Sequence, residues 1–257
     1  MNVSSWLRKT AISRLDAELI LANSLGKDRV FLHAHPEFEL SEDAEKRADA
    51  DCLRRENHEP LAYILGYKNF YGRKFMVTPD VLIPRPETEA IINLAKELKS
   101  QKILDVGTGS GCIAITLKLE LPDSDVVALD ISPKALKIAE QNAAKLGAKI
   151  AFRESDLLEK VQGEYDLIVA NLPYVDKKWD WLSPELTFEP EQALFAEDSG
   201  LYDIKCLISQ VEQRLTNDGA VILESDLSQH EAIREYVEQN TNLSFVKTES
   251  LAQLFAK

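Results

Sequence analysis

The sequence predicts a doubly wound α/β sheet of seven mostly parallel strands, preceded by a small helical domain. Three observations predict it. From residue 86 onward short apolar runs alternate with helical segments, the pattern of a parallel sheet covered on both faces. A glycine-rich turn, Gly107 to Gly111, follows the first of those runs, where open α/β sheets bind their ligands. Before residue 67 the apolar residues recur instead at helical spacing.

The first helix carries Ile12, Leu15, Leu19 and Ala22 on one face, and Gly26 is placed to end it. Ser41 is an N-cap with Glu42 and Asp43 in the first turn, so a second helix runs to about Asn57. Pro60 opens a short helical piece, Leu61 to Leu65, closed by Gly66. Residues 67–85 hold Phe70, Tyr71, Phe75, Val77 and Val81, broken by Gly72 and Pro79, and read as a β-hairpin connector. The third region is 86–257. Its strands are expected at 102–106, 126–130, 150–154, 167–170 and 220–224, with helices at about 87–99, 111–120, 133–146, 200–215 and 228–239. The tail from Leu243 adds two short strands, a terminal hairpin at the sheet edge. There is no internal repeat and no low-complexity segment.

Composition narrows the partners. With 257 residues and 45% apolar content, the chain is long enough for one large domain and a small appendage. Acidic residues outnumber basic ones by 43 to 30, a net charge of −13. Such a field repels a phosphate backbone, and no basic run offsets it, since Lys177-Lys178 and Arg54-Arg55 are only pairs. Duplex DNA is therefore disfavoured. The three cysteines Cys52, Cys112 and Cys206 have no zinc spacing and read as small buried hydrophobes in a reducing compartment. No stretch has signal-peptide or membrane-span character, so a cytoplasmic protein is expected, without a membrane partner, and a monomer.

The run Ile103-Leu104-Asp105-Val106-Gly107-Thr108-Gly109-Ser110-Gly111 takes a strand sharply into a helix. Its G-x-G-x-G spacing is neither the dinucleotide fingerprint nor a P-loop. Asp105 is placed instead to meet the cation of an amino-acid-like ligand. Asp130 ends the next strand, where a carboxylate can accept from both hydroxyls of a ribose. After the third strand, Asp156 is placed to take an adenine amino group while Leu157 packs the ring. Three successive strand ends thus suit a methionine, a ribose and an adenine, the parts of S-adenosyl-L-methionine. Alternatively, each aspartate caps the helix or turn that follows it.

The fourth strand runs into Asn171-Leu172-Pro173-Tyr174. An amide or aromatic-amine nitrogen is a poor nucleophile because its lone pair is delocalised. The Asn171 oxygen and the Leu172 carbonyl can each accept one N–H of a target –NH₂, which aims the lone pair and favours pyramidal nitrogen. Pro173 restrains the residue before it, and the Tyr174 ring can stack on the target and attract developing positive charge. An ordinary strand-to-loop turn also uses Asn and Pro.

These residues resemble the HemK family of protein-glutamine methyltransferases. The resemblance extends to Glu59-Pro60-Leu61-Ala62-Tyr63-Ile64-Leu65-Gly66, Phe70-Tyr71-Gly72, Ile83-Pro84-Arg85-Pro86-Glu87-Thr88-Glu89, Glu189-Pro190, Ala193-Leu194-Phe195 and Gly200-Leu201. It implies a class I S-adenosylmethionine methyltransferase, Rossmann-like, whose N-terminal helical domain helps recognise the substrate. It also implies the glutamine of the Gly-Gly-Gln motif of class I peptide chain release factors as target. By position it makes Gly107, Thr108, Gly109, Ser110, Gly111, Asp130, Leu157 and Asn171 cofactor residues, and Asn171, Leu172, Pro173 and Tyr174 the seat of the amide. The family usually has Asn-Pro-Pro-Tyr; Leu172 keeps the carbonyl that the role requires.

Other readings are a glutamine of a ribosomal protein, an adenine-N-methylating nucleic-acid enzyme, and a silent cofactor-binding scaffold. The second needs a basic face or an insertion that the chain lacks. Asn171, Pro173 and Tyr174 argue against the third. No metal is expected: His33 and His35 have no further ligand nearby. Trp179 and Trp181 read as packing aromatics, and Glu87, Thr88 and Glu89 as the charged first turn of a helix.

Overall fold

The computed structural model describes residues 1–180 and 182–257; Trp181 lies outside the described residues. The chain divides into two compact units, Met1–Tyr67 with Ser183–Phe188, and Lys68–Leu182 with Glu189–Lys257.

The first unit is helical: α1 (Val3–Lys9), α2 (Arg14–Leu25), α3 (Arg29–Ala34), α4 (Glu42–Glu56) and α5 (Leu61–Leu65). The caps expected for α2 and α4 are present. Gly26 is left-handed and its N–H returns to Ala22 and Asn23, and the Ser41 side chain accepts from Ala44 N. Helix α2 starts at Arg14, so Ile12 precedes it. Helices α1 and α3, at seven and six residues, are too short to carry a periodic signal; their caps, Asn2 and Asp28, mark them instead. Trp6, Ile20, Leu21, Leu32 and Ile64 fill the core. Glu18 is buried and accepts from Arg14 and Arg29, with His33 Nε2 at 3.3 Å. Charge pairing of this kind is what makes a buried carboxylate tolerable.

A two-stranded hairpin follows, β1 (Tyr67–Phe70) and β2 (Arg73–Met76), all but its first residue in the second unit. That unit continues through α6 (Glu89–Leu98), β3 (Lys102–Val106), α7 (Cys112–Glu120), β4 (Asp125–Asp130), α8 (Pro133–Leu146), β5 (Ala151–Glu154) and β6 (Tyr165–Ala170). Then come α9 (Glu191–Leu194), α10 (Tyr202–Val211), β7 (Leu215–Glu224), α11 (His230–Asn240), β8 (Ser244–Glu249) and β9 (Ala252–Ala256). The seven-stranded sheet has the order β5-β4-β3-β6-β7-β9-β8, parallel except for the terminal hairpin, as expected.

Side chains alternate across this sheet. Ile103, Leu167, Val169 and Ile222 face one apolar layer with α6 and α7, while Leu104, Ile168, Val221 and Leu223 face a second layer with α10 and α11. Burial on both faces explains why these strands read as continuous apolar runs. Cys52 and Cys112 are buried as expected, Cys206 only partly. Among the described residues no helix is long and apolar enough to cross a membrane.

Asn142 of α8 is fully buried and joins the hairpin to the glycine turn. Its Oδ1 accepts from Met76 N at 2.7 Å, and its Nδ2 donates to Met76 O at 3.0 Å and Ser110 O at 2.9 Å. Asn142→Ala should lower unfolding free energy by at least about 2 kcal/mol, because backbone groups lose their partners away from water. Urea unfolding with an unchanged midpoint would contradict this.

Candidate functional site

Strands β3 and β6 lie side by side, yet the chain leaves them in opposite directions, to β4 and β5 on one side and to β7 on the other. At that switch point the carboxyl ends of the strands leave a crevice. It holds a cavity of about 370 Å³, within the range of small-molecule sites. Gly107, Gly109, Asp130, Asp156, Leu157, Asn171, Leu172 and Pro173 line it.

The other sequence-predicted residues stand behind this lining. Asp105 is fully buried and does not reach the cavity; its Oδ2 accepts from Thr108 Oγ1 at 2.6 Å and Ala114 N at 3.2 Å. Its Oδ1 has no partner among the described residues. Burial pushes this carboxyl up to about 7, against the lowering effect of those two hydrogen bonds. Thr108 and Ser110 are buried in the turn. Gly111 lets α7 and α8 approach: a Cβ there would stand 2.8 Å from Ile115 Cδ1 and 3.1 Å from Ala139 Cβ.

Gly107 and Gly109 both have positive φ. A Cβ on Gly107 would come to 3.0 Å from Leu172 Cδ2, so the Leu172 side chain packs directly beneath the turn. Sequence reasoning credited that residue with its carbonyl alone. The Asp130 Oδ2 accepts from Gly109 N at 2.8 Å and its Oδ1 from Ser132 N at 2.8 Å. The carboxylate thus holds the turn as well as facing the cavity, and burial raises its pKa. Leu157 adopts φ 42°, a left-handed conformation rare for leucine and characteristic of constrained sites. Four carboxylates, Asp80, Asp130, Asp156 and Asp203, line the cavity with no lysine or arginine among them, chemistry that suits a cationic ligand.

Asn171 donates from Nδ2 to Glu224 Oε1 at 2.8 Å and Thr88 Oγ1 at 3.1 Å. Both amide hydrogens are used, which leaves Oδ1 to accept. Tyr174 does not line the cavity; its ring packs against the second apolar layer, and burial raises its hydroxyl pKa. Its carbonyl accepts from Gln229 Nε2 at 2.8 Å and leaves no room at Gly200, where a Cβ would lie 2.0 Å away. Trp179 is half-buried. Sequence reasoning missed Glu224, Asn142, Gln229 and Asp203, and left Thr88 as a helix-capping residue. Arg85 and Ile83 N, in the matching connector, both bond Glu189, which holds that connector beside α9.

Asp105 and Glu224, both raised to about 7, favour the folded state in acid and less so as pH rises. The proton-linked stability is complete below the unfolded carboxyl values near 4 and is lost as pH passes about 7. The thermal midpoint of the ligand-free protein should therefore fall between pH 5 and 8, and fall less in Asp105→Asn. Parallel curves for parent and variant would contradict the assignment.

The chain resembles known proteins over most of its length. The Methyltransferase small domain family matches residues 87–187, and the PrmC N-terminal domain family matches residues 2–66. A release factor glutamine methyltransferase of Koribacter versatilis is 44% identical, over 92% of this chain and 88% of that protein. One of Escherichia coli is 37% identical, over 91% and 90%. Among solved structures, a ribosomal protein L11 methylase of Lactobacillus delbrueckii is 28% identical with a TM-score of 0.50, covering 67% of this chain and 79% of that one. On this identity over about nine-tenths of its length, the protein belongs to the release factor glutamine methyltransferase family.

Proposed function

We propose that the protein transfers a methyl group from S-adenosyl-L-methionine to the side-chain amide nitrogen of the glutamine in the Gly-Gly-Gln motif of class I peptide chain release factors. The observation that carries this is Asn171, an amide at the cavity wall with both hydrogens engaged elsewhere and its oxygen left to accept. The names of the curated relatives support the choice of release factor.

The residues fit the cofactor. The acidic lining suits its cationic sulfur and ammonium, the open side of Gly109 leaves space against the turn, and Leu157 offers an apolar edge for the adenine. In this reading Asp130 holds the ribose hydroxyls, Asp156 the adenine amino group, and Gly107 and Gly109 the methionine part. Asp105, Thr108, Ser110 and Gly111 shape the turn from behind. The bound cofactor supplies an electrophilic methyl group.

Asn171 Oδ1 and the Leu172 carbonyl each take one N–H of the target amide. Holding both hydrogens fixes the nitrogen lone pair towards the methyl donor and stabilises positive charge as it develops there. Pro173 restrains Leu172, and the Leu172 side chain, wedged under Gly107, ties the acceptor loop to the cofactor turn. Tyr174 supports the loop from beneath, its ring in the apolar layer and its carbonyl accepting from Gln229. The first unit is assigned to recognition of the protein substrate.

The test is mass spectrometry of a release factor after incubation with isotopically labelled cofactor. The expected result is one methyl on the Gly-Gly-Gln glutamine and none in duplex DNA at moderate salt, given the charge of −13. Label on a glutamine of a ribosomal protein instead would redirect the substrate, and label on adenine would overturn the reading. Asn171→Ala should slow transfer by roughly 10²–10³, as for loss of a preorganised polar group at a transition state. Asp130→Ala should weaken cofactor binding by about 1–3 kcal/mol in calorimetry. Unchanged affinity would remove Asp130 from the site.

A further inference from the structure

An asparagine side chain presents an oxygen at one end of its amide and an –NH₂ at the other, and the two ends are almost the same size. For Asn171 the difference decides the reaction. With Oδ1 towards the target it accepts an N–H; turned over, it presents hydrogens to hydrogens. Nothing in the residue itself prefers one arrangement.

The surroundings do. Asn171 Nδ2 reaches Glu224 Oε1 at 2.8 Å and Thr88 Oγ1 at 3.1 Å, and Thr88 Oγ1 donates in turn to the same Glu224 oxygen at 3.1 Å. Thr88 and Glu224 are both essentially inaccessible to solvent, at 2% and 0% exposure, so no water replaces either contact. A turned-over Asn171 would bring its oxygen against a carboxylate oxygen and strand both of its hydrogen bonds in low-dielectric surroundings. Three elements supply the arrangement: Thr88 precedes α6, Asn171 follows β6 and Glu224 ends β7.

The Tyr174 hydroxyl is a further hydrogen-bond partner of Glu224, beside Thr88 and Asn171. When ionised, a carboxylate at this place only accepts, and that fixes the direction of the Asn171 hydrogen bond. A glutamine there would fill the same space yet could donate from one end, and so would permit either orientation of Asn171.

We propose that Glu224 and Thr88 lock the Asn171 amide with its oxygen towards the substrate, and are thereby positioning residues for methyl transfer. The inference rests on the functional reading above and adds to it the requirement that fixes the acceptor.

The experiment compares the full-length parent with Glu224→Gln, Thr88→Val and Thr88→Ser. Single-turnover transfer to a release factor at saturating cofactor is measured beside cofactor affinity and the ¹⁵N spectrum of the Asn171 side-chain amide. Glu224→Gln and Thr88→Val should slow transfer by about 10- to 100-fold, less than removal of the acceptor itself. Their cofactor affinity should hardly change, and the Asn171 amide resonances should move. Thr88→Ser, which keeps the hydroxyl, should restore both rate and spectrum. If Glu224→Gln does not fold, the valine and serine pair decides. A parent that fails to methylate the release factor counts against the functional reading, while the spectrum, which needs no substrate, still tests the lock. Unmoved Asn171 resonances, or parent-like transfer in a folded Thr88→Val, would overturn it.

Discussion

The pairing of β3 with β6 at the centre of the sheet is the constraint on which everything else depends. Parallel strands require crossovers, and crossovers that leave these two neighbours in opposite directions open a gap at their carboxyl ends. The turn after β3 and the loop after β6 then face each other across that gap. Leu172 touches Gly107 there, so the turn and the loop are set at a fixed separation by the backbone of one sheet. Rigid strands hold such geometry better than loops alone would.

The same gap is lined with polar groups that are expensive to bury. Asp105 keeps one oxygen without a partner among the described residues, and both it and Glu224 have pKa values pushed up to about 7 by burial. Asn142, by contrast, is fully used, with three hydrogen bonds to backbone groups of the hairpin and the turn. Satisfied hydrogen bonds are thus concentrated in what supports the site, and costly buried carboxyls in what shapes it. That division is expected where a protein holds a pocket open for a charged ligand.

Much of this was legible in the sequence because its signals are local. The glycine turn, Asp130 at the end of β4, Asn171 to Tyr174 after β6 and the capping serines and glycines each declare themselves within a few residues. Glu224, Thr88 and Asn142 do not. Their partners lie 53, 83 and 66 positions away, and each sits in a segment with an ordinary explanation of its own. Asp105 shows the converse. Its place beside the glycine turn suggested contact with a ligand, but the strand geometry turns its side chain inward, onto Thr108 and Ala114. Tyr174 likewise lies beside the acceptor in sequence, while its ring belongs to the apolar layer under it.

The central claim is that two acceptors, Asn171 Oδ1 and the Leu172 carbonyl, each hold one hydrogen of the target amide. The most direct measurement is the side-chain amide spectrum of a release factor labelled with ¹⁵N at glutamine, bound to this protein with the demethylated cofactor in place. Two held hydrogens predict that both resonances of the Gly-Gly-Gln amide move downfield and exchange slowly with water, and that only one does so in Asn171→Ala. A bound complex in which neither resonance moves would contradict the account.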